Sequence, residues 1–596
     1  MSPRLTGDGR AGLGPFAFAF LSVVLGVVAG FGAFAFRLLI GFVHNLFFLG
    51  RLSFAYDTIQ HTPPGPWGAG VALAPAVGAV LVVFLVKQFA PEAKGHGVPE
   101  VMDAIYYQKS VIRPVVALIK SLASALSIGS GGSVGREGPI IQISAAFGSW
   151  SGTLCRVSRW QLATLVAAGG GAGIAATFTT PIGGVLFAAE VLMHEISVRT
   201  LVPVALATTT ATYVGHFFFG NHPAFPVPPL RMPGATGAAL LPAYVGLGGL
   251  MALASVAFIR GLYGAEDLFE RYVPRHEYVR HVVGMLGVGV TITALLQYTG
   301  HYHVEGVGYA TIMDVLSGSL TSVGLLLLLF ALKLAATCLT LGSGGSGGIF
   351  SPSLFMGTTL GAAYGIVLRR ILPGWEIDPA ALALAGMAGL VAGATGAALT
   401  AIVMIFEMTL DYTVVLPMTL TVAVSYGLRR LLLSQSIYTM KLARRGHRLP
   451  EVLQANAHLV HHVSDIRLAD VALLPADAVP ASLGPAADPA VPRYVVLLRD
   501  GQVAAVLARD RLQEGVEQRP GAARLADAAT AAGEPYVTAS PDQTIFGLLA
   551  RMQASRASVA IVLGPPDGHG SPRVLGLVTM AHLGELTAEG MELLDS

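Results

Sequence analysis

Between residues 12 and 445 the chain alternates apolar segments of uneven length with short polar, glycine or proline breaks. The first segment, residues 11–36, holds no charged residue between Arg10 and Arg37. It exceeds the roughly 20 residues that a helix needs to cross a bilayer, and a signal peptide's apolar region is much shorter, so it predicts a retained membrane helix. Longer segments such as 240–259 and 281–296 alternate with short ones, 99–107 and 181–193, which are too short to cross alone. Irregular backbone at membrane depth survives only where protein or a water-filled cavity satisfies its polar groups. Interrupted helices therefore predict a binding site at that depth. After about Pro450 the pattern changes: Asp, Arg and Pro appear regularly and apolar runs shorten to strand length, predicting a soluble tail. Residues 494–498 and 503–507 read as strands paired across an Asp500-Gly501 turn. Residues 558–563 and 574–578 read as a second pair, preceded by a helix over about 542–554.

The apolar region is written twice. GSGGSVGREGP at 129–139 returns as GSGGSGGIFSP at 342–352, an offset of 213 (342 − 129), and a lysine precedes each copy, Lys120 and Lys333. Gly95, Gly97, Met102 and Asp103 are echoed by Gly306, Gly308, Met313 and Asp314, an offset of 211 (306 − 95). A glycine- and alanine-rich run ending at Glu190 is echoed by one ending at Glu407, an offset of 217 (407 − 190). Glycine and alanine bias explains one such match but not three in the same order, so a duplicated membrane fold is expected. Its halves are 12–220 and 240–433, joined by a proline-rich segment at 223–233. The tail carries a weaker duplication, Arg467-Leu468-Ala469-Asp470 returning at 524–527.

Composition agrees with this pattern. Of 596 residues 53% are hydrophobic and 12% charged, with a mean hydropathy of +0.65, which marks an integral membrane protein. A net charge of +2 suggests no nucleic-acid partner. Arg4 and Arg10 precede the first span, and Arg429, Arg430, Lys441, Arg444, Arg445 and Arg448 cluster where the apolar region ends, so both termini are expected in the cytoplasm. Cys155 and Cys338 lack metal-ligand spacing. No disulfide or metal site is expected, and both read as small packed apolar residues.

A Gly-Ser-Gly-Gly-Ser run ahead of a helix offers free N–H groups, and the helix start adds about half a positive charge, so each copy is a candidate anion site. Related by a pseudo-twofold axis, the two would converge near the midplane; the plain alternative is glycine used only for close packing. Glu137 is the most telling ionisable residue, because a carboxylate at membrane depth is costly and functional by default. Its plain alternative is an acidic first-turn residue neutralised by Arg136. Enzyme readings fail on missing groups. Gly344 to Gly347 fits a GxSG protease pattern, but the next histidine after Ser346 is His447, beyond the membrane region, and no Lys-Ser/Thr ends a phosphate loop.

Taken together, GREGP at 135–139, GGIFSP at 347–352, GHGVP at 95–99 and Tyr438 in SIYTM resemble the CLC family of chloride channels and proton/chloride exchangers. The resemblance covers about residues 12–445, and residues 457–590 resemble that family's tandem of CBS modules, the first unit degenerate. It implies an all-α polytopic membrane domain, an inverted repeat with broken helices, plus a small α/β CBS-pair cytosolic domain. It further implies a homodimer in a bacterial inner or plasma membrane, with a pore in each subunit. Chloride would be bound by the N–H groups of Ile349 and Phe350, the side chain of Tyr438 and His96. Gly95, Gly97, Pro99, Gly135, Arg136, Gly138, Pro139, Gly348 and Pro352 would shape the pore motifs, and Glu137 would be the gate.

This sequence departs from the family pattern twice. His96 replaces the usual serine, so chloride, nitrate and fluoride selectivity stay open, although the intact GREGP weighs against the fluoride branch. A neutral imidazole can donate one hydrogen bond to chloride and an imidazolium would make binding pH-dependent; a ring turned away and bonded to backbone is the alternative. Val191 stands where exchangers carry an inner proton-relaying glutamate, which favours passive, channel-like conduction, with proton-coupled antiport as the alternative. Glu190 and Glu407 are expected to be buried structural carboxylates. No cofactor is expected for transport. The nucleotide-gripping pattern of CBS modules is half kept by Leu507 with Asp510 and by Thr579 with His582, so the tail reads as dimerising or modulatory, with adenine nucleotide as the alternative.

Overall fold

Local signals set the ends of the membrane helices. Proline at the first turn opens several of them, where its missing N–H costs nothing. Side-chain caps from Ser197, Ser322, Asp378 and Ser436 open others. The computed structural model describes residues 12–220, 225, 240–273, 276–447, 462–465, 468–479, 492–499, 502–518, 524–529, 534–566 and 572–579. Arg4, Arg10, Arg448, Arg467, the Asp500-Gly501 turn, His582 and all of segment 223–233 except Phe225 lie outside the described residues. The chain divides into two compact units, one formed by 12–157 and 161–453, the other mainly by 454–596.

In the first half the membrane unit carries α1 (Pro15–His44), α2 (Ala74–Phe89), α3 (Val98–Tyr107), α4 (Pro114–Gly129), α5 (Glu137–Leu154), α6 (Arg159–Phe178), α7 (Pro181–Phe187) and α8 (Val198–Phe219). The second half carries α9 (Leu241–Tyr272), α10 (Glu277–Thr299), α11 (Tyr309–Leu316), α12 (Val323–Gly342), α13 (Phe350–Ile371), α14 (Pro379–Thr395), α15 (Ala398–Thr409), α16 (Val415–Leu432) and α17 (Ile437–Arg444). Among the described residues seven helical segments are long and apolar enough to cross a bilayer, from Pro15–Leu49 to Val323–Gly342. Their number and apolarity mark a multi-pass integral membrane protein. The short segments stay short: α3 has 10 residues, and α7 ends in a π-helical turn, Ala188–Met193. The first span runs past the uncharged stretch to His44, because Arg37 turns into a cavity rather than into lipid. Cys338 is buried as expected, but Cys155 is exposed just past α5, so packing accounts for only one of the two.

The duplication is visible as paired contacts. Lys120 and Lys333 are fully buried. Lys120 Nζ donates to the carbonyls of Ala93 and Gly95 at 2.9 and 2.7 Å, and Lys333 Nζ to those of Val304 and Gly306 at 3.0 and 2.7 Å. Each ammonium thus satisfies irregular backbone ahead of a short helix, α3 or α11, which hydrocarbon could not do. Ser346 Oγ donates to Ala93 O and Ser133 Oγ to Val304 O, each reaching from one half into the other. Glu190 accepts from the N–H groups of Leu399 and Thr400 at the start of α15, while Glu407 accepts from those of Ile182 and Gly183 at the start of α7. These two carboxylates are reciprocal helix caps between the halves. An antiparallel bridge between Gly135 and Gly348 sets the copies head to head, as an inverted repeat requires.

The second unit repeats one small topology. β1 (Val471–Pro475) pairs parallel with β2 (Tyr494–Arg499), which pairs antiparallel with β3 (Gln502–Ala508); α18 (Arg509–Gln518) and α19 (Leu525–Ala529) follow. Then β4 (Tyr536–Ala539) leads to α20 (Ile545–Ala554), β5 (Val559–Pro566) and β6 (Pro572–Thr579), with β4 parallel and β6 antiparallel to β5. Val496, Val506, Val559, Ile561 and Leu577 form one buried cluster joining the two sheets. The duplicated tail segments cross over. Ala469 bridges to Leu577 of the second sheet, and Leu525 and Ala526 donate to Ala478 and Ala476 beside the first.

Candidate functional site

Four helices, α3, α5, α13 and α17, begin close together inside the membrane unit. The Gly135 N–H donates to Gly348 O at 2.7 Å and the Gly348 N–H returns to Gly135 O at 2.6 Å, which holds the first turns of α5 and α13 against each other. The Gly95 N–H donates to Gly345 O at 3.0 Å, tying the approach to α3 to the same loop. A side chain at two motif positions would break this contact. A Cβ on Gly138 would lie 2.1 Å from His96 O, and Gly97, at φ 84°, has only 2.7 Å to Gly138 O. Pro99, Pro139 and Pro352 sit in the first turns of α3, α5 and α13, where no N–H is needed.

Glu137 is fully buried at the first position of α5. Its Oε1 accepts from the Tyr309 hydroxyl at 2.6 Å and from the Ser351 hydroxyl, and its Oε2 accepts from the Ser351 N–H at 3.4 Å. The carboxylate thus lies over the first turn of α13, where unpaired N–H groups and the helix dipole favour negative charge. Arg136 forms no ion pair with it; its guanidinium lies over the Tyr309 ring, 5.6 Å from the centroid. Neither Ile349 nor Phe350, the residues at the α13 start, has an acceptor for its N–H among the described residues. Phe178 walls this region, 5.6 Å from Phe350 and 6.4 Å from Tyr309.

His96 and Tyr438 sit together, their rings 6.0 Å apart and both buried. The His96 Nδ1 is buried without a hydrogen-bond partner. Val191 is buried in the π-helical turn after α7. Four residues on, in the turn before α8, Glu195 is also buried; its Oε1 accepts from Ser197 Oγ at 2.9 Å, and burial raises its carboxyl above the ordinary range.

The four motif loops that carry His96, Glu137, Ile349 with Phe350, and Tyr438 come together. Sequence reasoning missed Tyr309 and Ser351. Ser351 lies inside the GGIFSP motif and Tyr309 inside the second glycine echo, but only the fold reveals that both hydroxyls point at Glu137. Arg37 was also missed, having served only to end an uncharged run.

Residues 78–430 match the family described as voltage gated chloride channel. The chain is 31% identical over 437 residues to the H(+)/Cl(−) exchange transporter ClcA of Vibrio parahaemolyticus, spanning 72% of this chain and 90% of that protein. It is 30% identical over 435 residues to ClcA of Yersinia pseudotuberculosis, spanning 72% and 88%. Among solved structures it is similar to a slow cyanobacterial Cl−/H+ antiporter, with a TM-score of 0.63 and 24% identity over 73% of this chain and 99% of that one. A eukaryotic CLC transporter gives a TM-score of 0.62 at 20% identity, covering 95% of this chain and 98% of that one.

Proposed function

The chain belongs to the CLC family and transports chloride; from that premise we propose a pore in each subunit, gated by Glu137 and coupled to protons. The observation that carries this reading is the lodging of Glu137, a carboxylate held over the α13 start by two hydroxyls and no cation. A carboxylate there is an anion in an anion site, so chloride competes for the same donors. With Glu137 protonated or displaced, chloride passes to the N–H groups of Ile349 and Phe350, then to Tyr438 and His96. All these residues come from one chain, which supports a complete pore per subunit within the expected homodimer. Both termini are taken as cytoplasmic, and the tail's repeated strand topology supports its reading as a modulatory CBS-like pair.

Proton coupling is favoured because the relatives matched over most of their length are named H(+)/Cl(−) exchange transporters. Val191 cannot relay a proton and keeps passive conduction as the second reading. In the exchange reading Glu195 takes the inner proton, its burial favouring the neutral form. The test uses purified protein in liposomes with a fixed chloride gradient, an imposed pH gradient and measurement of the reversal potential. A potential that shifts with pH, and no longer does so in Glu195→Gln, supports exchange. One that follows chloride alone refutes coupling. Glu137→Gln should remove the pH dependence of flux; unchanged pH dependence would leave Glu137 a helix-start residue.

A further inference from the structure

Two arginines share a cavity beside this site. Arg37 of α1 and Arg136 line one cavity together with Tyr56, Thr58 and the apolar Ile40 and Ile128; it measures about 240 Å³ with its open side included. Arg136 is only 8% exposed, and its Nε has no hydrogen-bond partner. Among the described residues neither guanidinium makes an ion pair. Arg37 instead rests over the Phe219 ring, 4.7 Å from the centroid, and Arg136 over Tyr309. The nearby carboxylates make no ion pair with either guanidinium. Glu137 is held by Tyr309 and Ser351, Glu305 by His44 and Thr62, and Asp57 is exposed, accepting from the Ile59 N–H.

Two like charges facing one partly apolar cavity repel, with the exposed Asp57 opposing that repulsion only in part, and desolvation adds to the cost. An anion between them relieves both terms. We propose that Arg37 and Arg136 form a separate antechamber for a small monovalent anion of the class the pore passes. The hydroxyls of Tyr56 and Thr58 add neutral donors. Because Arg136 precedes Glu137 and stacks on the tyrosine that holds it, an anion in the antechamber waits one residue from the gate. The cavity belongs to the membrane face reached by the C-terminal end of α1, opposite the face where that helix begins. The inference rests on the reading of Glu137 as the gate.

The test is chloride flux through the full-length protein in liposomes, with chloride varied at one face at a time. A hydrogen bond to a charged group is worth about tenfold in affinity or more. Arg37→Gln is therefore expected to raise the half-saturating chloride about tenfold at the antechamber face and to leave it unmoved at the other, with Arg37→Lys in between. If Arg37→Gln does not fold, Tyr56→Phe and Thr58→Val, which keep both arginines, should each raise the same quantity about threefold or more. Wild-type half-saturation in Arg37→Gln, or in both hydroxyl variants where that protein is lost, would overturn the antechamber. So would an equal shift at both faces, which a general surface field would give. A wild-type protein without chloride flux would overturn the functional reading and this inference together, whereas flux with an indifferent Arg37 overturns only the inference.

Discussion

Tyr309→Phe removes one oxygen from the lodging of Glu137 and little else. The Tyr309 ring packs against Phe225 at 5.2 Å and Phe178 at 6.4 Å, contacts that phenylalanine keeps. What is lost is a 2.6 Å hydrogen bond to a carboxylate, a class worth about 1.5–3 kcal/mol, and a 2.7 Å contact between the Tyr309 and Ser351 hydroxyls. The Ser351 hydroxyl still donates to the same oxygen, so the loss should fall near the lower figure. A destabilisation of about 1.5 kcal/mol raises the released population of Glu137 roughly tenfold wherever the lodged state dominates. Chloride efflux from liposomes at neutral pH should rise by that factor. The decisive control is a double-mutant cycle with Glu137→Ala: once the carboxylate is gone, adding Tyr309→Phe should change flux by less than about twofold. Equal efflux in Tyr309→Phe and wild type, or the same tenfold increase in the Glu137→Ala background, would refute the idea that Tyr309 acts by holding the carboxylate.

Three further outcomes are expected. Glu407→Ala leaves the N–H groups of Ile182 and Gly183 uncapped and should cost about 0.5–2 kcal/mol, seen as a lower Tm than Glu407→Gln in a detergent melt, with flux per folded molecule kept. His303, in the loop after α10, is held at about pKa 4 by burial first and then by His61 and His301, with Asp314 opposing. Its folded pKa lies below the unfolded 6.5, so the neutral ring stabilises above pH 6.5 and that stability is lost as pH falls toward 4, by up to about 3 kcal/mol. His303→Asn should flatten the fall in Tm between pH 6.5 and 4; an equally steep fall would exclude His303 as its source. His96→Ser exchanges one donor for another beside Tyr438 and should move the chloride-to-nitrate permeability ratio severalfold in bi-ionic reversal potentials, whereas an unmoved ratio would show that the ring does not meet the anion.

Much of this fold was legible because duplication writes structure twice. Lys120 and Lys333 stand at equal distances before their glycine runs, and they turn out to do the same work on matching carbonyls. Glu190 and Glu407 likewise cap each other's helices. The sequence could not reveal partners that depend on one half crossing into the other, since no local period records them. The repeat nevertheless says where to look, because the site lies where the copies disagree. Within the offsets of 211 and 213, Val98 faces Tyr309, Gly138 faces Ser351, and Arg136-Glu137 face Ile349-Phe350. Three of these differences meet in one hydrogen-bonded group, with Tyr309 and Ser351 holding Glu137 over the N–H groups of the other copy. A fourth, His96 against Val307, puts an imidazole beside Tyr438 in one copy and an apolar side chain in the cavity lined by Arg37 and Arg136 in the other. A strictly symmetric repeat would offer the same donors at both ends and hold an anion equally from either side. In the proposed mechanism, a carboxylate plug, its two hydroxyl holders and an arginine pair on one side only would give the pathway a direction along which the gate acts.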